Sequence, residues 1–232
     1  MNALILSAGL GSRVPELTST THKALIEING KPLIEHTIEK LWLAGIFRIV
    51  IVVGYKSHQF DYLVAKYPGL ELIFNEHFED LNNAYSLYRA LDFLEDTWIL
   101  EADLWLRENI FLNYPQSSTY YLIKRASVGV EWVPNLEDGF VKGFRIEETI
   151  EPSHAGISFW RKADSKKIVE KARDLMELNP EFYQDLSKYW DHIPCMLLDQ
   201  IQAKASILAQ GSVYEIDSYQ DYLDICEVVK NE

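Results

Sequence analysis

The residues best suited to chemistry in this 232-residue chain lie in Leu4-Ile5-Leu6-Ser7-Ala8-Gly9-Leu10-Gly11-Ser12-Arg13 and the following His22-Lys23-Ala24-Leu25. An apolar run opens onto a loop of small residues, which lets backbone N–H groups approach an anion closely. Arg13 and Lys23 add charge that backbone dipoles alone cannot supply. Such a loop suits a nucleoside triphosphate whose phosphates are to be rearranged. No Gly-Lys-Ser/Thr closes it, so it is not a P-loop, and the third glycine of a dinucleotide fingerprint is missing near Val14. The plainer alternative is tight packing of a strand on the next helix. Ser12-Arg13 and Lys23 favour phosphate.

Two carboxylates are the next candidates. Asp103 follows Ile99-Leu100-Glu101-Ala102 and Asp217 follows Tyr214-Glu215-Ile216, so each stands where an apolar strand ends. Carboxylates meeting beside a triphosphate can hold Mg²⁺, a hard ion that takes oxygen ligands and shares them with phosphates. The metal would neutralise charge building on the α-phosphate during in-line attack. Each aspartate also has a structural use as a strand-end turn or helix cap, Asp217 before Ser218 above all.

The elements that must position these groups alternate along the first half. Ala3–Ser7 reads as a buried strand before glycines, and Gly30-Lys31-Pro32 starts a helix ended by Gly45. Strands follow at Ile49–Val53, Glu71–Phe74 and Thr97–Ala102, with helices at His58–Lys66 and Asn83–Leu94 between them. Short crossovers imply a right-handed, mostly parallel, doubly wound α/β sheet, in which ligands bind outside the carboxyl ends of the strands. The Gly9–Arg13 loop, Gly54-Tyr55 and Asp103 therefore share one rim. From about Ser118 the pattern becomes more antiparallel, with strands at Thr119–Lys124, Val130–Pro134, Phe140–Ile146 and Gly156–Trp160. An amphipathic helix spans Lys162–Leu178, strands follow near Ala205–Ala209 and Val213–Ile216, and a helix from Ser218 closes the chain. No repeat or linker divides the halves. The expectation is one domain over 1–232, with a nucleotide-binding half (1–117) and an acceptor-binding half (118–232).

Composition narrows the function. Apolar residues make up 48% and charged ones 25% of the chain, ordinary for a globular protein. A formal net charge of −13 disfavours nucleic acid and anionic membrane surfaces, which reward a positive face. Two cysteines, Cys195 and Cys226, make neither a disulfide framework nor a zinc site. The sequence offers no cleavable leader and no apolar run long enough for membrane insertion, so the cytoplasm is the expected compartment.

With the motifs assembled, the chain resembles a family. The Leu6–Arg13 loop, His22-Lys23-Ala24-Leu25 and Gly30-Lys31-Pro32-Leu33-Ile34 are similar to the signature of nucleotidyltransferases that activate sugar phosphates and choline phosphate. Asn82-Asn83-Ala84-Tyr85-Ser86-Leu87, Glu101-Ala102-Asp103, Gly156-Ile157-Ser158-Phe159-Trp160, Tyr189-Trp190-Asp191 and Tyr214-Glu215-Ile216-Asp217 narrow the resemblance to the bacterial CTP:phosphocholine cytidylyltransferases, over nearly the whole length. The resemblance implies transfer of a cytidylyl group from CTP to phosphocholine, giving CDP-choline and pyrophosphate. It implies that Arg13 and Lys23 bind the triphosphate and that Asp103 and Asp217 hold Mg²⁺. It further implies a nucleotide site built from Ala8, Gly9, Gly11, Ser12, Gly54, Tyr55, Asn82 and Ser86. Three features depart from the family pattern. Val14-Pro15-Glu16 follows Arg13 where a second basic residue and proline are common, His22 stands where proline commonly precedes the lysine, and Glu147–Pro152 lacks the lysine of sugar-phosphate members.

The aromatics agree with that missing lysine. Glu131-Trp132, Trp160, Tyr189-Trp190-Asp191 and Tyr214-Glu215 place rings beside carboxylates. A quaternary ammonium has no N–H to donate and is recognised by π faces and nearby negative charge. Glu131, Trp132, Trp160, Tyr189, Asp191 and Glu215 are thus the candidates for the acceptor, although any single ring is as much at home in a core. Acceptors such as 2-aminoethylphosphonate, phosphoethanolamine or a sugar 1-phosphate remain open, as do a non-catalytic nucleotide-binding module and a homodimer.

Overall fold

All six residues of the first strand, β1 (Asn2–Ser7), are buried, as an unbroken apolar run covered on both faces requires. The computed structural model describes residues 1–125 and 127–231. After β1 come a short helix α1 (Pro15–Thr18), the small hairpin β2 (Glu27–Ile28) and β3 (Lys31–Pro32), and helix α2 (Leu33–Leu43). Strand β4 (Ile49–Val53), helix α3 (Asp61–Lys66), strand β5 (Leu70–Phe74), helix α4 (Asn83–Arg89) and strand β6 (Thr97–Glu101) complete the first half. The second half begins with β7 (Leu104–Leu106), β8 (Thr119–Ile123), β9 (Gly129–Glu137), β10 (Phe140–Thr149) and β11 (Ser153–Trp160). It ends with α5 (Lys162–Leu178), the short helices α6 (Glu181–Gln184) and α7 (His192–Cys195), β12 (Lys204–Ile207), β13 (Val213–Glu215) and α8 (Tyr219–Lys230).

Nine strands form one sheet in the order β5-β4-β1-β6-β11-β8-β12-β10-β9. The first four are mutually parallel, and β11 joins β6 antiparallel, so strands of both halves share the sheet. Because successive side chains of a strand point to opposite faces, β1 and β4 feed two cores. Ala3, Ile5, Ile49 and Ile51 meet Ile34, Ile38 and Leu41 of α2 and Leu63 of α3. Leu4, Leu6, Val50 and Val52 meet Ala84 and Leu87 of α4 and Ile168 and Ala172 of α5. Each fully buried Leu, Ile or Val contributes roughly 1.5–3 kcal/mol. The chain steps outward from β1 through β4 to β5, then returns to the other side of β1 at β6. That reversal opens a crevice at the carboxyl ends of β1 and β6.

Sequence periodicity and the observed elements agree at β4 and α5 to the residue. The helix expected over Asn83–Leu94 is α4 followed by a separate 3₁₀ turn at Leu91–Phe93. The helix expected from His58 is likewise a 3₁₀ turn, Ser57–Phe60, leading into α3. The β9–β10 hairpin runs longer than its apolar pattern indicates, with pairing from Glu137↔Phe140 to Gly129↔Thr149 interrupted only by a bulge at Lys142, despite polar exposed positions. Ser218 accepts from the Asp221 N–H while Asp221 accepts from the Ser218 N–H, a capping box that starts α8. Helix α8 covers Trp105 and Ile216 in a third small core. No helix among the described residues is long and apolar enough to cross a membrane.

Candidate active site

Strand β1 delivers the small-residue loop to the crevice. Gly11 has φ +64°, and a Cβ there would stand 3.2 Å from Cβ of Lys23, so glycine meets both a left-handed backbone and a close approach. The departure after Arg13 leaves the loop well closed. Val14 is fully buried, Pro15 starts α1, and the Thr18 hydroxyl donates to Gly11 O at 3.1 Å or Val14 O at 2.9 Å. Lys56 Nζ then ties the following turn down through Thr18 O and Ser19 O.

Lys23 is the electrostatic centre. Its Nζ donates to Asp103 Oδ2 at 2.7 Å and to Asp217 Oδ1 at 3.0 Å, with only 9% of the side chain exposed. Burial opposes its charge, but Asp103 and Asp217 outweigh burial and raise its pKa above the ordinary lysine value. Arg13, two-thirds exposed, reaches the other oxygen of Asp217 at 2.7 Å. Burial pushes the Asp217 carboxyl up, yet Lys23 and Arg13 together hold it below its usual range. The four residues singled out as catalytic thus form one linked group.

A cleft of about 550 Å³ is lined by Arg13, Lys23 and Asp103 of that group. Of the expected nucleotide-side residues, Ala8, Gly9, Gly11, Ser12, Asn82 and Ser86 line it. Gly54 and Tyr55 stand behind instead, where the Tyr55 N–H donates to Ala8 O at 3.1 Å and braces the loop. Ser86 accepts from Asn75 Nδ2 at 3.0 Å inside the protein, and Asn82 Nδ2 donates to Leu186 O, linking α4 to the late segment.

Two further carboxylates face the cleft region. Glu101, Asp103 and Glu215 each offer an oxygen within 4.8 Å of the others. Glu101 ends β6 and Asp103 lies in the turn before β7, while the pairing of β13 with β7 sets Glu215 opposite Leu104, next to Asp103. Burial, then the nearby Asp103, pushes Glu101 up to about 7, and the same causes with Asp217 carry Glu215 up to about 8. Asp103 Oδ1 is buried with no hydrogen-bond partner. An all-oxygen donor set with an unsatisfied carboxylate oxygen fits a hard divalent cation. The expected pair was Asp103 and Asp217. Both oxygens of Asp217 are engaged by Lys23 and Arg13, and Asp103 shares Lys23. Glu101, which sequence reasoning left out of the site, is recognisable only by its two-residue spacing from Asp103.

The acceptor candidates divide. Trp132 and Tyr189 meet edge to face at 6.2 Å, and His192 meets Trp132 the same way at 4.9 Å. Tyr189 lines the cleft and is 43% exposed. Trp160, by contrast, is fully buried and packs on Tyr120 at 5.2 Å, so it belongs to the core. Its place in β11 puts it at the far end of that strand from Gly156, which lies against Glu101. Glu131 and Glu215 both pair with Arg125, at 3.0 and 2.6 Å, and Ser153 donates to Glu131 at 3.1 Å. Asp191 is buried, its Oδ1 3.6 Å from His154 Nε2. Burial, then Glu101, raises the Asp191 pKa, while burial and Arg125 lower that of His154 to about 3. Arg125 and His154 carried no signal in the sequence, since their partners lie on distant strands.

Comparison with known proteins assigns the class. Residues 3–106 match the family model of the MobA-like NTP transferase domain, and the enzyme is a nucleotidyltransferase. The chain is 39% identical to the choline-phosphate cytidylyltransferase of Streptococcus pneumoniae, covering 100% of both chains. It is 35% identical to the 2-aminoethylphosphonate cytidylyltransferase of Lancefieldella rimae over 94% of this chain and 88% of that one. A solved structure of the CTP:phosphocholine cytidylyltransferase from Streptococcus pneumoniae superposes with a TM-score of 0.91 at 38% identity, covering 98% of each chain. The chain belongs to the family of the bacterial choline-phosphate cytidylyltransferases.

Proposed function

We propose that the protein transfers the cytidylyl group of CTP to phosphocholine, releasing pyrophosphate and forming CDP-choline. The observation that carries this reading is the full-length likeness to choline-phosphate cytidylyltransferases, joined to a cleft whose walls include Arg13, Lys23 and the Tyr189 ring. A phosphate oxygen of phosphocholine attacks the α-phosphorus of CTP in line, and the bond to the pyrophosphate oxygen breaks. The nucleophile is already an anion, so no side-chain base is needed, and catalysis is positioning plus electrostatics. Residues 1–117 bind the donor and 118–232 the acceptor.

Arg13 and Lys23 hold the triphosphate and stabilise the charge that shifts toward pyrophosphate. Ala8, Gly9, Gly11, Ser12, Asn82 and Ser86 hold the nucleotide, backed by Gly54 and Tyr55. Glu101, Asp103 and Glu215, with Asp217 beside them, would hold Mg²⁺, which when bound supplies further neutralisation of the α-phosphate. Trp132 and Tyr189 receive the trimethylammonium, with His192 packed against both rings. Glu131 and Glu215, both paired with Arg125, and the buried Asp191 beside His154 complete the acceptor side. The enzyme works in the cytoplasm, where CTP is available.

A second reading keeps the reaction and changes the acceptor to 2-aminoethylphosphonate, on the strength of the 35% identity to that cytidylyltransferase. Pyrophosphate release measured for four nucleoside triphosphates against phosphocholine, phosphoethanolamine, 2-aminoethylphosphonate and glucose 1-phosphate tests both. Highest kcat/KM with CTP and phosphocholine is expected. Preference for a primary amine or for a sugar phosphate would remove phosphocholine as the acceptor.

A further inference from the structure

His22 stands between the glycine loop and Lys23, and its ring is bonded to both sides. The Ala24 N–H donates to Nδ1 at 3.1 Å. A backbone N–H can only donate, so Nδ1 is the ring's lone-pair nitrogen and the proton of the neutral imidazole is on Nε2. Nε2 lies 3.2 Å from Gly9 O, which can only accept. A single tautomer, Nε2–H, therefore satisfies both contacts.

The ring has little freedom to adopt another arrangement. His22 is 3% exposed and packs edge-on against Phe60 at 4.9 Å. Its backbone N–H donates to Gln59 Oε1 at 2.8 Å, and Gln59 Nε2 donates back to Thr20 O at 2.8 Å. Burial holds the imidazole's pKa down at about 4, which keeps the ring neutral near pH 7.

We infer that His22 is a positioning residue of the triphosphate site, fastening the peptide after Gly9 and the turn that carries Lys23 into one unit. The inference rests on the nucleotidyl-transfer reading. Bonding Gly9 O to the ring fixes the plane of the Gly9–Leu10 peptide, and with it the direction of the Leu10 N–H on the opposite edge. Capping the Lys23–Leu25 turn fixes where the Lys23 side chain starts. Backbone donors and ammonium are thereby set at one spacing before nucleotide arrives, so binding need not order them. In the family pattern a proline stands here, which stiffens the chain but cannot bond to the glycine loop.

The test combines three variants with two kinds of readout. His22→Ala removes both ring bonds, while His22→Asn retains an acceptor near Nδ1 and His22→Gln a donor near Nε2. His22→Ala should raise the KM and the calorimetric Kd for CTP about tenfold, the effect of one or two lost hydrogen bonds, with the KM for phosphocholine unchanged. Asn and Gln should each recover part of that loss. Folded variants whose CTP affinity matches wild type, with only a lower Tm, would show a purely structural histidine and overturn the inference. So would ¹⁵N-imidazole NMR of the wild type showing the proton on Nδ1. Calorimetry and NMR decide on His22 without turnover, so an absence of CDP-choline synthesis counts against the proposed function and not against this inference.

Discussion

Replacing Lys23 by methionine should move two measurable quantities in opposite directions. The ammonium sits 2.7 Å from Asp103 and 3.0 Å from Asp217, nearly excluded from water. Methionine preserves most of the volume and the apolar stem while deleting the charge. Asp103 then loses its ammonium partner and Asp217 keeps only Arg13. Turnover should fall about 100- to 1,000-fold, the usual result of removing one preorganised group that stabilises transition-state charge. Divalent metal binding without nucleotide should tighten, because Asp103 no longer exchanges a lysine for the ion. A charge-assisted hydrogen bond contributes about 1.5–3 kcal/mol, which corresponds to roughly ten- to a hundredfold in affinity. Pyrophosphate release with CTP and phosphocholine gives the first quantity, and Mn²⁺ titration followed by electron paramagnetic resonance gives the second. Wild-type turnover, or metal binding that weakens together with turnover, would refute the placement of Lys23 between carboxylates and triphosphate.

Other perturbations separate binding from stability. Trp132→Ala should lower kcat/KM for phosphocholine about 30-fold, from a desolvated cation–π contact of about 2 kcal/mol, and change phosphoethanolamine turnover much less; an equal loss for both would dismiss the aromatic site. His22 and His154 are held neutral at about 4 and about 3, against an ordinary 6.5. At these two sites the unfolded chain takes up protons first, so each histidine costs stability as pH drops below 6.5, about 2 kcal/mol at pH 5. Glu101 and Glu215, raised to about 7 and about 8, act in the opposite sense over the same range. His154→Asn should therefore raise the urea midpoint at pH 5 relative to that at pH 7 by comparison with wild type, and an unaltered pH dependence would show that His154 titrates normally. Glu35, which is buried, accepts from Tyr62 and Tyr67 at 2.7 and 2.6 Å and pairs with Lys66. Glu35→Ala should cost about 3 kcal/mol and lower Tm by roughly 10 °C without changing the KM for CTP.

The first half was legible because its signals are local. An apolar run is enough to mark β4, and its carboxyl end fixes the rim where the Gly9 loop and Asp103 meet. Lys162–Leu178 shows its buried face by spacing alone. The second half depends on pairings between distant segments, which leave little trace in either partner. β7 is three buried residues, Leu104–Leu106, with no period to count, and its partner β13 comes more than a hundred residues later. β12 slips in parallel beside β8 and separates it from β10, an order that local patterns do not encode. For the same reason Trp160 and Trp132 look alike as letters. One becomes core because α5 and the late segment close over it, and the other is left beside Tyr189.

The β6–β11 junction, where Thr97–Leu100 pair with Trp160–Ile157, has an evolutionary consequence. In the proposed division of labour, the boundary between donor and acceptor segments includes a row of main-chain hydrogen bonds, which tolerate most side-chain changes. Rings beyond it should therefore be exchangeable for other acceptor contacts without loss of the pairing to β6. At that join Gly156 is the constrained letter, because a Cβ there would press on Glu101 at about 3.2 Å. New acceptor specificities should arise around a fixed glycine.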